Sequence, residues 1–223
     1  TKIVKFLSAP AVSDEPRLLM QKANNEVFFQ ISLDNANNET LFVKADDLKH
    51  NGIDVDYMIE HPEQKLNCGM FGCVYALDQD RVLKLGKVDK YEFRAARKAS
   101  DETIGPPILG SFPVELWKID ADGQRTSQGS TIAYIMQRLH GDLYELERDG
   151  KLTDDHVDAM IHLCDQCLQS KSKVHADFHH GNVLYYVHED GHCVFYLTDW
   201  GMYAEADGEE HKENDKYMTM LRL

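Results

Sequence analysis

Two short segments decide the fold of this chain: His175-Ala-Asp-Phe-His-His-Gly-Asn182 and, further on, Thr198-Asp-Trp-Gly201. The first reads as a loop and places the carboxylate of Asp177 five residues before the amide of Asn182. The second places Asp199 directly after an apolar run that favours a β-strand. Carboxylate and amide oxygens are ligands that Mg²⁺ accepts in proteins. Together the segments predict a base next to two oxygen ligands for magnesium.

Phosphoryl transfer requires these same groups. A carboxylate orients or deprotonates the acceptor hydroxyl, and magnesium neutralises the charge that develops on the phosphates. Asp177 suits the first role, and the pair Asn182 and Asp199 suits the second. A competing interpretation is a zinc site formed by the histidines of the loop, His175, His179 and His180. That interpretation leaves the amide and the second carboxylate without a role.

A glycine-containing turn lies upstream, in Asn67-Cys-Gly-Met-Phe-Gly-Cys-Val-Tyr75, between two predicted strands. Gly69 and Gly72 would let the backbone approach phosphates closely, because they carry no side chain. Lys84 follows in an apolar strand, where its ammonium group either binds nucleotide phosphates or extends to the surface. Glu92, in the next predicted helix, is the acidic candidate that would hold this lysine, although it could also be a solvated helix charge.

With these features in this order, residues 66–202 resemble the protein-kinase-like superfamily. The glycine turn is similar to the family's phosphate-covering loop, with asparagine in its first glycine position. Lys84 and Glu92 are similar to its strand lysine and helix carboxylate. The loop with Asp177 resembles the catalytic loop, and Asp199-Trp-Gly201 resembles the magnesium motif, with tryptophan replacing phenylalanine. The resemblance implies ATP and Mg²⁺ as cofactors, with Asp177 as the catalytic residue.

The resemblance also implies where the nucleotide binds. Residues 135–142 are similar to the end of the fifth strand and the hinge, with Met136 as gatekeeper. The backbone of residues 137–139 would bind adenine, and Leu184 would form the floor beneath it. The residues implied to contact the nucleotide are Gly69, Phe71, Gly72, Val74, Lys84, Met136, Gln137, Leu139 and Leu184. The implied magnesium ligands are Asn182 and Asp199.

Two departures from the family pattern suggest a reduced enzyme. Ala176 occupies the position at which kinases of this family usually have an arginine that binds a phosphate on the activation loop. Its presence implies activity without phosphorylation of that loop. Only 22 residues follow Gly201, so we expect a shortened activation segment and a reduced C-terminal lobe. Asp215 could hold the catalytic loop there, before a short apolar helix over residues 217–223. A C-terminal lobe shortened in this way resembles that of the minimal kinases of bacterial effectors and large DNA viruses.

His179 is a third departure, because serine/threonine kinases usually have lysine at this position. The sequence around it is instead similar to the aminoglycoside and choline kinases, which carry helical inserts for which this chain has no room. We therefore expect a serine/threonine protein kinase that transfers the γ-phosphate of ATP to a protein. The alternatives are a small-molecule phosphotransferase and a pseudokinase-type binding module. Against the last stands the joint presence of Lys84, Asp177, Asn182 and Asp199.

Composition narrows the partners and the compartment. The chain has 223 residues and a net charge of -14, which disfavours nucleic acid as a partner. A protein substrate fits, as does an activating partner, and both would be host proteins for an effector or viral kinase. No apolar run reaches the roughly 20 residues that span a bilayer. Five cysteines form a sparse, odd set, which predicts free thiols and a cytoplasmic location, in the host cell for an effector.

The predicted fold is α+β, a bilobal protein-kinase-like fold with a β-rich N-terminal lobe and a reduced helical C-terminal lobe. Residues 1–62 form an extension with a β-hairpin over 26–44, which would pack on the upper lobe or bind a partner. Residues 63–139 form the N-lobe and hinge, and residues 140–223 form the C-lobe. We expect separate strands on either side of Pro113. We also expect Cys164 and Cys167 on the packed face of a long helix.

Overall fold

The computed structural model describes residues 20–23, 26–169, 173–175 and 179–205. Over these residues the protein belongs to the α+β class, with a large sheet as its main element, as the sequence predicts. None of the helices in these ranges is long and apolar enough to cross a membrane. Asp177, Asp215 and the apolar helix expected over 217–223 lie outside the described residues.

The described regular structure comprises strands, α-helices and short 3₁₀ turns. In chain order the strands are β1 (Met20–Ala23), β2 (Glu26–Ser32), β3 (Thr40–Lys44), β4 (Lys65–Cys68), β5 (Gly72–Ala76), β6 (Arg81–Gly86), β7 (Ile108–Ile119), β8 (Arg125–Gln137), β9 (Gly141–Asp142), β10 (Lys173–His175), β11 (Val183–Val187), β12 (Cys193–Leu197) and β13 (Tyr203–Glu205). The α-helices are α1 (Ala45–His50), α2 (Val55–Glu60), α3 (Lys90–Asp101), α4 (Leu143–Arg148) and α5 (Asp154–Gln169). The 3₁₀ turns are Pro62–Gln64, His180–Asn182 and Trp200–Met202.

The chain divides into two compact units. Unit one contains the chain up to Lys90 and resumes from Leu109 to Arg138. Unit two contains residues 91–108 and the chain from Leu139 onward. The last boundary falls between Arg138 and Leu139, within the stretch predicted as a hinge. The helix α3 belongs to unit two from Tyr91 onward, whereas the sequence assigned it to the same domain as β4–β8.

Unit one is built on an eight-stranded sheet in the order β1-β2-β3-β7-β8-β6-β5-β4. The hairpin predicted over 26–44 is confirmed as β2–β3, with Ser32 opposite Thr40. β3 continues into the rest of the sheet through β7, where Phe42 lies opposite Trp117. The predicted extension is therefore hydrogen-bonded into the same sheet as the glycine turn and the Lys84 strand.

One face of this sheet carries the hydrophobic core of unit one. Tyr75 and Leu83 from β5 and β6 are fully buried there. Leu48 of α1 and Met58 of α2 belong to the same cluster and are fully buried as well. Burying one such side chain contributes roughly 1.5–3 kcal/mol. The helices α1 and α2, from the segment before the glycine turn, thus stabilise the strands that follow it.

Two local predictions for unit one are wrong. β7 runs without interruption through Pro113. A proline lacks an N–H and so disrupts a strand only where that N–H is needed, and β3 pairs with β7 further along, at Leu116 and Trp117. Cys68 and Cys73 form a disulfide instead of remaining thiols. They lie directly opposite each other on β4 and β5, a register that the sequence alone did not indicate.

Unit two combines helices with two small sheets. The strands β12, β11 and β9 form one sheet, and β10 pairs with β13 in the other. α5 packs against β12. Its buried face includes Leu163, Cys164 and Cys167, as predicted for the two cysteines. The carboxylate of Asp142 accepts a hydrogen bond from the Glu145 backbone N–H at 2.7 Å, which caps the start of α4.

Candidate nucleotide and magnesium site

Lys84 lies on the sheet face of unit one opposite to the core. Val74 of β5, Lys84 of β6 and Tyr134 of β8 occupy directly paired positions. Paired residues of adjacent strands point to the same face, as do residues two apart along a strand. Met136 and Val82 therefore share this face, while the alternate residues face the core. Three predicted nucleotide contacts, Val74, Lys84 and Met136, are brought together in this way.

The side chain of Lys84 is only 6% exposed. On the same face, Val82 is 4% exposed and Tyr134 is 3% exposed. An ammonium group in such surroundings needs anionic or polar partners, because burying a charge without them is very costly. This burial excludes the alternative in which the Lys84 side chain extends to the protein surface. Its position suits an anion such as a nucleotide phosphate.

The glycine turn is closed by a hydrogen bond from the Gly69 N–H to the Gly72 carbonyl at 2.9 Å. Gly72 lies opposite Gly86 in the β5–β6 register. Gly86 has a φ of +153°, and a Cβ added to it would lie 2.4 Å from the Phe71 carbonyl oxygen. Only glycine fits there. A Cβ added to Gly69 meets no atom within 4 Å, so the protein itself leaves room above this glycine.

One backbone amide of the predicted hinge is already hydrogen-bonded within the protein. The Arg138 N–H donates to the Asp80 carbonyl at 2.7 Å, so this amide is not available to adenine. Gln137 lies opposite Arg81 in the sheet. Contacts of Gln137 and Leu139 with adenine stay predictions.

The two predicted magnesium ligands lie at one end of the β11–β12 hairpin in unit two. Val183 pairs with Leu197 as the last pair of that hairpin, and Asn182 and Thr198 come next. The Asn182 carbonyl accepts hydrogen bonds from the Thr198 N–H at 2.8 Å and from its hydroxyl at 3.1 Å. Asp199 follows immediately. The amide of Asn182 and the carboxylate of Asp199 are thus held on neighbouring backbone segments, both with oxygen donors that suit Mg²⁺.

Asp199 has an unusual backbone conformation, with a φ of +58°. Aspartate tolerates this left-handed region better than most residues, and such conformations persist where the surrounding structure holds them. His175, which is 1% exposed, provides one such restraint through a 2.7 Å hydrogen bond between its Nε2 and the Thr198 carbonyl. The indole N–H of Trp200 provides another by donating to the Leu197 carbonyl at 3.0 Å.

The histidines of the loop do not converge on a zinc ion. His175 binds the Thr198 carbonyl, and His179 accepts a hydrogen bond from the Gly181 N–H at 3.1 Å. His180 contacts a carboxylate oxygen of Glu147 at 3.0 Å. Within the described residues, no group of three or more His, Cys, Asp and Glu is arranged to hold a metal. The zinc interpretation is therefore wrong for the described part of the loop.

The other predicted site residues are not shown to contact Lys84 or the magnesium ligands. Glu92 is 4% exposed on α3 and belongs to unit two, whereas Lys84 belongs to unit one, so their pairing stays a prediction. Leu184 is half-buried on β11, opposite Tyr196. Asp177 lies outside the described residues, and its catalytic role also stays a prediction.

Sequence reasoning missed several residues that shape the site. The position of Gly86, two residues after Lys84, is a signal that the sequence contains. Its role, which is to allow the close approach of Gly72, becomes visible only in the paired strands. Ala76, Val82 and Tyr134 could have been found by counting alternate residues from Lys84, once the strand register was known. Thr198 carries no signal in the sequence beyond its position before Asp199.

No protein-family model matches this chain, and a comparison with curated proteins finds no match. Function is therefore inferred from its own residues.

Proposed function

We propose that this chain is an ATP- and Mg²⁺-dependent protein kinase that transfers the γ-phosphate to serine or threonine of a protein. The observation that carries the proposal is the hydrogen-bonded contact between the backbone of Asn182 and Thr198. Two hydrogen bonds join these residues, and Asp199 follows directly. A buried amide and an exposed carboxylate at one hairpin end are a suitable pair of magnesium ligands.

The sheet of unit one supports the same proposal. The elements from β4 to β8, with α3 between β6 and β7, follow the chain order that the resemblance implies: strand, glycine turn, strand, lysine strand, helix and two further strands. Lys84 is buried on the face that also carries Val74 and Met136. Gly69 leaves open space where a phosphate could approach the backbone. A buried lysine beside a glycine turn provides charge and backbone donors for phosphates.

Each residue has a distinct role in this proposal. Lys84, fixed by Glu92, orients the phosphates of ATP. Asn182 and Asp199 hold Mg²⁺, which neutralises charge on the transferred group. Asp177 orients the acceptor hydroxyl and takes its proton as the new oxygen–phosphorus bond forms. The bond between the γ-phosphorus and the β–γ bridging oxygen breaks in the same step, and ADP leaves. The proposal extends to activity without activation-loop phosphorylation, since Ala176 replaces the arginine that would bind such a phosphate.

A small-molecule phosphotransferase is the second candidate. It rests on His179, which stands in the place of the lysine found in serine/threonine kinases. Incubation with γ-labelled ATP and a cell lysate distinguishes the two candidates. Label on protein bands supports the protein kinase, whereas label confined to small molecules supports the second candidate.

The catalytic assignment is tested by Asp177→Asn, which keeps the size of the side chain and removes its charge. We expect phosphoryl transfer to be lost while ATP binding, measured by calorimetry, stays within twofold of the wild type. His188→Ala, an exposed position on the hairpin turn, serves as the control and should retain transfer. Unchanged turnover of Asp177→Asn would refute the assignment.

A further inference from the structure

His179 occupies a position at the start of the 3₁₀ turn His180–Asn182 that is usually taken by a shorter side chain. The first N–H groups of a helical turn lack partners within the turn. Serine, threonine, aspartate and asparagine commonly satisfy them from the preceding position. Here the ring of His179 does so, by accepting a hydrogen bond from the Gly181 N–H at 3.1 Å through Nδ1.

The same residue also holds the next amide. The Asn182 N–H donates to the His179 carbonyl at 2.9 Å. Because the Asn182 carbonyl is bound by Thr198, the backbone of Asn182 is restrained at both ends. His179 therefore supplies two of the hydrogen bonds that fix the turn carrying a proposed magnesium ligand.

Gly181 shows how closely the ring fits against this turn. A Cβ added to Gly181 would lie 3.2 Å from Cε1 of the His179 ring and 3.3 Å from its Nδ1. Alanine at this position would therefore require the ring to shift by a few tenths of an ångström. On the other side of the turn, His180 contacts Glu147 of α4 at 3.0 Å. The turn is thus anchored to α4 independently of His179.

We infer that His179 is a positioning residue for magnesium: its ring caps the 3₁₀ turn and thereby holds Asn182 in the orientation that binds the ion. This inference rests on the proposed function and adds to it a role for the residue in which this chain departs from serine/threonine kinases. Groups that orient a metal ligand from outside the coordination sphere typically change metal affinity by about 10- to 100-fold when they are removed.

The test is the Mg²⁺ dependence of ATP binding by the full-length chain. ATP is titrated by calorimetry in EDTA and then at a series of Mg²⁺ concentrations. We expect His179→Ala to raise the Mg²⁺ concentration needed for half-maximal enhancement by about tenfold, with binding in EDTA unchanged. His179→Asn, whose amide oxygen can cap the turn, should restore the wild-type value. His188→Ala, at the far end of the β11–β12 hairpin, is the matched histidine control.

The outcomes separate the inference from the proposed function. If His179→Ala and the wild type require the same Mg²⁺ concentration, the inference is wrong and the proposed function stands. If His179→Asn is as weak as His179→Ala, the ring does not act through the cap, which also overturns the inference. If the wild type shows no Mg²⁺-dependent ATP binding, the proposed function fails and this role fails with it. Should His179→Ala not fold, His179→Phe takes its place, because it keeps an aromatic ring and removes the nitrogen that accepts from the Gly181 N–H, and it should raise the Mg²⁺ requirement in the same way.

Discussion

Two glycine-to-alanine substitutions separate the structural role of the glycine turn from its proposed role in binding. In Gly86→Ala the new Cβ would lie 2.4 Å from both the Gly72 Cα and the Phe71 carbonyl oxygen. These are backbone atoms of Phe71 and β5, so relief requires the β5 and β6 backbones to move apart at this point. The φ of +153° adds about 1–3 kcal/mol of backbone strain, and overpacking adds a further 1–3 kcal/mol or so. We expect a total loss of about 2–6 kcal/mol in the free energy of unfolding.

Gly69→Ala is the matched variant on the same turn. Its Cβ meets no atom within 4 Å, so we expect the free energy of unfolding to change by less than about 0.5 kcal/mol. If a phosphate approaches the backbone here, the added methyl group should nevertheless weaken ATP binding by about tenfold, which corresponds to about 1.4 kcal/mol.

Urea denaturation measures the stability of both variants, and calorimetry measures ATP binding by the wild type and Gly69→Ala. A Gly86→Ala protein as stable as the wild type would refute the close approach of Gly72 and Gly86. Gly69→Ala with wild-type stability and unchanged ATP affinity would contradict the phosphate-binding role of the turn. The two results are independent, because the first concerns only packing within the sheet.

Three further predictions concern charge and covalent structure. Hydrogen bonds from Lys118 and Lys87 lower the pKa of Glu39 from 4.5 to about 2. The ionised form of Glu39 therefore stabilises the protein above pH 4.5, and this contribution is lost as the pH falls towards 2. Glu39→Gln should flatten that part of the curve of unfolding free energy against pH, and an unchanged curve would contradict the ion pairs. Reduction of Cys68–Cys73, a pair separated by five residues, should lower the unfolding free energy by about 2 kcal/mol on loop-entropy grounds; equal stability with and without reductant in urea melts would count against the crosslink. Lys84→Met keeps the length of a buried side chain and removes its charge, so ATP affinity should fall by at least about tenfold. Circular dichroism should show that the fold is retained. Undiminished affinity would exclude Lys84 from the phosphate site.

Local patterns were sufficient for the longer elements. The enrichment of strand-forming residues in 26–33 and 40–43 predicted the β2–β3 hairpin, and the amphipathic pattern after the capping residue Thr153 predicted α5. The short strands β9, β10 and β13 were not foreseen. Two or three residues carry too little alternation to indicate a strand, and their pairing depends on where the chain brings them.

The candidate site was predicted by residue type but not by geometry. The sequence named Asn182 and Asp199 as ligands, yet the hydrogen bonds of Thr198 that hold them depend on the register of β11 and β12. The face shared by Lys84, Val74 and Met136 likewise depends on strand pairing. Register also explains the disulfide that the sequence missed, because the five-residue separation of its cysteines has no meaning until β4 and β5 are aligned.

The most direct test of the proposed kinase activity is mass spectrometry of phosphorylated residues after incubation of a cell lysate with MgATP and the protein. Wild type and Asp199→Ala are compared at equal concentration, with each preparation checked for folding by circular dichroism. We expect new phosphoserine or phosphothreonine sites with the wild type and none above background with Asp199→Ala, because the magnesium ligand is lost. The absence of new sites with the folded wild type, or the same sites with both proteins, would contradict a magnesium-dependent protein kinase.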